Sequence, residues 1–141
     1  MSGEDDSRNP VTLIWDEYIA NILALYNADK KRAVLVMNQV SEILLIGRSK
    51  SVRLIVSCQR PDAVAFPVGS RLNYGVVVIL GAAVRSIYEM LMPDHMDKIK
   101  GREFGQGEGA VLLQGSRLHF IKVPETKDVE GLQSTCRGAL F

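Results

Sequence analysis

Two short stretches of this chain carry side chains suited to one reaction. The run Val11-Thr12-Leu13-Ile14-Trp15 is apolar and ends abruptly in the adjacent carboxylates Asp16 and Glu17. Downstream, Leu54-Ile55-Val56 is apolar, leads through Ser57 and Cys58 to the amide of Gln59, and is stopped by Arg60-Pro61. An apolar run that ends in polar side chains reads as a buried strand delivering chemistry to the rim of a sheet. Hydrolysis of a nucleoside triphosphate needs a magnesium ion held through carboxylate-bound water, a group that orients the attacking water, and positive charge near the phosphates. Asp16 and Glu17 fit the first two roles. Successive strand residues point to opposite faces, but the chain turns at a strand end, so both carboxylates can approach one phosphate. For the dipeptide alone, a pair that merely caps the following helix is the plainer reading.

Periodicity supplies the elements that would position these groups. Residues 1–9 are polar and acidic and read as a disordered leader, and Pro10 opens a strand at 11–15. Ile19, Ile22, Leu23 and Tyr26 then recur at helical spacing up to a polar break at Asn27-Ala28-Asp29, with Asp29 as the expected N-cap of the next helix. That helix is expected from about 30 to 48, burying Val34, Met37, Val40, Ile43, Leu44 and Leu45. A strand at 52–58 follows, then a connection punctuated by Pro61, Pro67 and Gly69, and then Val76-Val77-Val78-Ile79-Leu80, an unbroken apolar run of the kind a strand buried on both faces requires. A helix at about 84–92 and a short one after Pro93 lead to the glycine cluster Gly105, Gly107 and Gly109. Two strands, 110–114 and 118–123, form a hairpin about a tight turn at Gly115-Ser116, and 125–141 is a tail with weak signals.

Bulk properties narrow the classes. A chain of 141 residues, 47% hydrophobic and 23% charged, suits one domain and one core. Lys+Arg 17 against Asp+Glu 16 gives a formal net charge of +1, so any nucleic-acid contact must come from a local patch. Such patches exist at Lys30, Lys31 and Arg32, at Arg48, Lys50 and Arg53, and at Lys98, Lys100 and Arg102, each also readable as a solvated face. Cys58 and Cys136 make neither a disulfide framework nor a metal-ligand spacing, which fits the cytoplasm. No apolar run reaches the roughly 18 residues of a spanning helix, so no membrane contact is expected. His95 and His119 have no motif linking them to Cys58, and a small buried thiol is the more common case.

The order and spacing of these pieces resemble the FtsK/SpoIIIE family of DNA-pumping ATPases. In that family a Walker B strand ends in Asp-Glu and the next strand ends in Thr-Gln-Arg-Pro. Here Gln59-Arg60-Pro61 stands with Arg48 eleven positions before the glutamine and Asn73 fourteen after it, and Gly105-Gln106-Gly107-Glu108 is similar to the family's Gly-x-Gly-Asp turn before a strand and hairpin. The likeness covers nearly all of residues 10–124. It implies an α/β fold with a RecA-like P-loop NTPase core, a mostly parallel sheet ending in an antiparallel hairpin. It implies that Asp16 assists magnesium, Glu17 polarises water, Gln59 senses the terminal phosphate of ATP, and Arg85 matches the arginine of the family's Asp-Ser-Arg segment. It implies double-stranded DNA as partner, in chromosome segregation or the transfer of a conjugative element, and a hexameric ring of like subunits.

Departures are specific. Trp15 replaces a small aliphatic residue, Cys58 stands where threonine is usual, and Ser86 follows the arginine instead of preceding it. Nothing in the sequence matches Gly-x-x-x-x-Gly-Lys-Ser/Thr, the loop that cradles phosphates. In the family's sheet the P-loop strand lies between the Gln59 strand and the strand at 76–80, so the resemblance implies a slot there. Residues 10–124 are then a partial motor domain, the Walker B side of an ATPase whose P-loop half precedes it. A catalytically inactive module that docks on motor subunits or DNA is the alternative; the joint retention of Asp16, Glu17 and Gln59 favours the motor.

Overall fold

The computed structural model describes residues 9–66, 73–125 and 127–138, so the expected leader and part of the connection after Pro61 lie outside the described residues. The chain opens with β1 (Val11–Trp15), turns into α1 (Tyr18–Ala28) and α2 (Lys30–Ile46), and passes a single 3₁₀ turn (Gly47–Lys50) before β2 (Val52–Val56). Parallel strands cannot be joined by a tight turn, and the two helices supply the crossover. β1 and β2 pair in parallel from Val11 against Val52 to Trp15 against Val56. Asp29 caps α2 as expected, its side chain accepting from Arg32 N at 3.0 Å.

The helices cover one face of β2 but only the last residue of β1: Trp15 is half-buried, while Val11, Thr12, Leu13 and Ile14 are exposed, so β1 is not the buried strand its apolar run suggests. Tyr18, Ile19, Ile22, Met37 and Val40 form the core with Ala65 and Phe66, and Trp15, Leu54 and Val56 pack against it. The buried stripe of α2 differs from the expected one. Ala33, Met37 and Val40 are its buried residues, Ile43 and Leu44 are half-buried, and Val34 and Leu45 are exposed. The seam at 33, 37, 40 and 44 follows the i, i+4, i+7 rule more closely than the expected set. α2 also stops two residues early, because Gly47 turns so close to β2 that a Cβ there would meet Val52 O at 2.8 Å.

The second half holds β3 (Val76–Leu80), α3 (Arg85–Leu91), a 3₁₀ turn (Pro93–His95), α4 (Met96–Ile99), β4 (Glu108–Leu113) and β5 (Arg117–Lys122). These strands form an antiparallel sheet in the order β3-β4-β5. Its core is Ile79, Tyr88, Met92, Ile99, Ala110 and Leu112. The hairpin turn has positive φ at Gln114 (51°) and Gly115 (68°), with Ser116 N donating to Leu113 O, so the turn sits one residue earlier than expected and has the twist hairpins favour. In the weakly patterned tail, α5 (Val129–Gly138) forms a helix. No helix among the described residues is long and apolar enough to cross a membrane.

The expectation of one mostly parallel sheet is corrected here. The chain is mixed α/β, but the only parallel pairing among the described residues is β1 with β2, and the strands fall into two sheets that break between β2 and β3. Tyr74, just before β3, links the halves by packing its ring 5.7 Å from that of Phe66. β3 is not buried on both faces either: Val77 and Ile79 turn inward, while Val76, Val78 and Leu80 are each half or more exposed. Ile14 on β1 and Ile55 on β2 are likewise bare. The apolar run was written for two covered faces, and the described chain covers one.

Gly109 fixes how closely β3 and β4 approach, since a Cβ there would collide with the Ile79 carbonyl oxygen and touch Leu80 Cα at 3.0 Å. Gly109→Ala should lower stability by about 2 kcal/mol, as overpacking against backbone does, read as a fall in the urea midpoint at unchanged slope. An unchanged midpoint would contradict the pairing of Gly109 with Leu80.

Candidate active site at the β1 and β2 rim

Because β1 and β2 are parallel and in register, the residues that follow them emerge at the same end of the sheet. Asp16 and Ser57 are the first on each chain. The Ser57 hydroxyl donates to Asp16 Oδ1, which also accepts from Glu17 N at 3.1 Å, so this oxygen is held on two sides. Backbone bonds tie the turn further: Ser57 N donates to Trp15 O at 3.1 Å and Tyr18 N to Ser57 O at 3.0 Å. The strand-end geometry therefore locks the first amide of α1 to the neighbouring strand.

Glu17 stands in the left-handed region, φ 51° and ψ 38°. A residue with a Cβ held there costs about 1–2 kcal/mol, and such strain persists where surrounding structure imposes it. Asn21 supplies part of that imposition: its Nδ2 donates to Asp16 O at 3.2 Å and to Glu17 O at 3.0 Å. Glu17 occupies the N-cap position of α1 but makes no side-chain cap bond, so the helix-capping reading of the Asp-Glu pair does not describe this turn.

The remaining expected residues divide. Gln59 lies two residues beyond Ser57, exposed, on the segment that leaves β2 at this rim. Cys58 between them is half-buried; burial, and then the nearby negative charge of Glu17, push its thiol pKa up, so it is no activated nucleophile. Among the described residues, neither the Glu17 carboxylate nor the Gln59 amide is spent on a hydrogen bond within the chain. Arg85 is elsewhere. It begins α3 in the other half, pairs with Glu89 at 2.6 Å across one helical turn, and forms no hydrogen bond or ion pair with Asp16, Glu17 or Gln59.

No group of three or more His, Cys, Asp and Glu among the described residues is arranged to hold a metal. Carboxylates at an exposed rim are the donor type that magnesium takes, an ion that keeps most of its waters and accepts few protein ligands. Sequence reasoning missed Ser57 and Asn21. Ser57 was readable as the residue matching Asp16 once the two strands were aligned from their apolar runs. Asn21 had no signal beyond a polar residue at the fourth position after Glu17.

The glycine turn ahead of β4 has its own carboxylate. Glu108 Oε2 accepts from Gly105 N at 3.1 Å and Oε1 pairs with Lys122 at 3.3 Å. These contacts, the Gly105 amide first, hold the Glu108 pKa below the usual carboxylate range. The turn is thus closed by its own side chain.

No protein-family model matches the chain, and no solved structure matches it. It is similar to the FtsK domain-containing protein YdcQ of Bacillus subtilis (strain 168), at 30% identity over 141 residues that take in 89% of this chain and 28% of YdcQ. The chain thus spans under a third of that relative's length. The likeness is FtsK-like and extends over both halves of the fold.

If Glu17 is strained, glycine should relieve it. Glu17→Gly is expected to raise stability by about 1 kcal/mol in urea unfolding, and Asn21→Ala to lower it by about 1 kcal/mol or more through two lost bonds. A Glu17→Gly protein less stable than the unmodified one would contradict the left-handed turn.

Proposed function

We propose that this chain is part of an ATP-driven double-stranded DNA translocase of the FtsK/SpoIIIE type, with the β1 and β2 rim as the Walker B side of its hydrolytic site. The observation that carries the reading is the strained, hydrogen-bonded turn that presents Asp16 and Glu17 beside the segment bearing Gln59. A helix cap has no need of such a turn. The similarity to YdcQ, a protein named for its FtsK domain, supports the same reading.

The division of work follows from position. Asp16, oriented by Ser57 and the Glu17 amide, would hold a magnesium ion through water, and the ion would supply positive charge against the phosphates of ATP. Glu17, whose carboxylate is not engaged within the described chain, orients the attacking water. Gln59 reaches the terminal phosphate from the neighbouring strand end. The lysine and backbone nest that hold phosphates come from a P-loop segment outside this sequence.

The break between β2 and β3 is where a RecA-like sheet would receive the strand of that segment. Unpaired strand edges and the bare residues Ile55, Val76, Val78 and Leu80 suit an apolar strand and its helices laid over them. The complete motor would act as a cytoplasmic hexameric ring on DNA in chromosome segregation or the transfer of a mobile element. The docking-module alternative shares the covered edge but requires no turnover.

DNA-stimulated ATP hydrolysis, measured on the protein that joins this chain to its P-loop segment, separates the two. Glu17→Gln should lower turnover at least about 100-fold while ATP still binds. Turnover that survives the substitution would remove Glu17 from the reaction, and absence of turnover in the unmodified protein would favour the docking module.

A further inference from the structure

Asn21, in the first turn of α1, touches both peptide groups that flank Glu17. Its Nδ2 donates to the Asp16 carbonyl at 3.2 Å and to the Glu17 carbonyl at 3.0 Å. The N–H ends of the same two groups are held as well: Glu17 N donates to Asp16 Oδ1 at 3.1 Å, and Tyr18 N to Ser57 O at 3.0 Å. The Glu17 carbonyl takes a further bond from Asn21 N at 3.2 Å. A peptide group is a rigid plane, so holding its N–H and its C=O fixes the plane. With both flanking planes held, φ and ψ of Glu17 are set, and so is the direction in which its Cβ leaves the backbone. Among the described residues, Asn21 is the one side chain bonded to both planes.

The competing conformation lies close by in sequence. With right-handed φ and ψ, Glu17 would join α1 as one more helical residue, which its type favours, and its Cβ would leave the backbone in another direction. The observed φ 51° and ψ 38° are therefore kept by bonds, two of which come from the Asn21 amide. Closing a helix N-terminus calls for acceptors of its free N–H groups. Asn21 instead donates to two carbonyls of the preceding turn, a contact that serves the turn and not the cap. The carboxylate held this way lies near the exit of β2: after burial itself, the Glu17 charge is what pushes up the Cys58 thiol, the residue next to Gln59.

We propose that Asn21 is a positioning residue for ATP hydrolysis: by holding both peptide planes around Glu17, it aims that carboxylate at the water that attacks the terminal phosphate. The role rests on the reading of Glu17 as the group that orients this water. The Asn21 amide is itself spent on the two carbonyls, so it acts through Glu17 and not on the nucleotide. Displacing a reacting group by about 1 Å can cost about 100-fold in rate, so loss of part of this hold predicts a smaller but measurable defect.

Steady-state kinetics of DNA-stimulated ATP hydrolysis, on the protein that joins this chain to its P-loop segment and at a temperature where every variant is folded, test it. Asn21→Ala should lower kcat about tenfold with the KM for ATP unchanged. Asn21→Asp, of the same shape but without a donor, should do the same. Ser41→Ala, which removes a side-chain bond to a carbonyl within α2, should leave kcat as it is. In the Glu17→Gln background Asn21→Ala should have no further effect, because it acts only through that carboxylate. A kcat untouched by Asn21→Ala while Glu17→Gln slows turnover, an equal fall in Ser41→Ala, or defects that multiply in the double variant would overturn the positioning role and leave the hydrolytic reading standing. Turnover that survives Glu17→Gln, or its absence in the unmodified protein, would remove both together.

Discussion

The parallel pairing of β1 with β2 sets the position of each group at the candidate site. In a parallel pair both strands end on the same side, so the register from Val11 against Val52 to Trp15 against Val56 leaves Asp16 and Ser57 abreast. Their side chains then bond, Tyr18 N takes the Ser57 carbonyl, and the chain can enter α1 only through a turn that forces Glu17 into the left-handed region. A slip of one residue in that register would send Asp16 away from Ser57 and turn the side chains of the strand that moved to the opposite face. Core packing protects against the slip, since Trp15, Leu54 and Val56 are the residues that α1 and α2 cover.

Much of this was legible from the sequence because period and punctuation are local. The strands at 11–15 and 76–80 have the expected bounds, and the expected cap Asp29 holds α2. What was not legible depends on partners. Ser57 becomes important only when β2 lies beside β1, and Asn21 only when the turn is left-handed. The shift of the α2 stripe to Ala33 puts a small residue at a buried position, which apolar periodicity weighted toward large side chains passes over. The helix Val129–Gly138 lay in a segment read as weakly patterned, although Val129, Leu132 and Cys136 recur there at helical spacing.

The apolar strand at 76–80 is the instructive mismatch. Its composition suits burial on both faces, yet Val76, Val78 and Leu80 stand bare while Val77 and Ile79 are packed. The same asymmetry appears across the break, where Ile14 and Ile55 are exposed and Trp15, Leu54 and Val56 are covered. The two sheets meet through the Phe66 and Tyr74 rings, and among the described residues each leaves apolar strand side chains uncovered. The candidate site, by contrast, lies where the chain is most constrained, at the strained rim of the first sheet.

A double-mutant cycle on Asp16 and Ser57 tests the central geometry most directly, because it measures the contact that only the in-register parallel pair creates. With Asp16→Asn, Ser57→Ala and the double variant compared by urea unfolding, a hydrogen bond to a carboxylate predicts a coupling of about 1–2 kcal/mol. Additive effects, with coupling near zero, would mean that the two strand ends do not meet and that the rim is not a site.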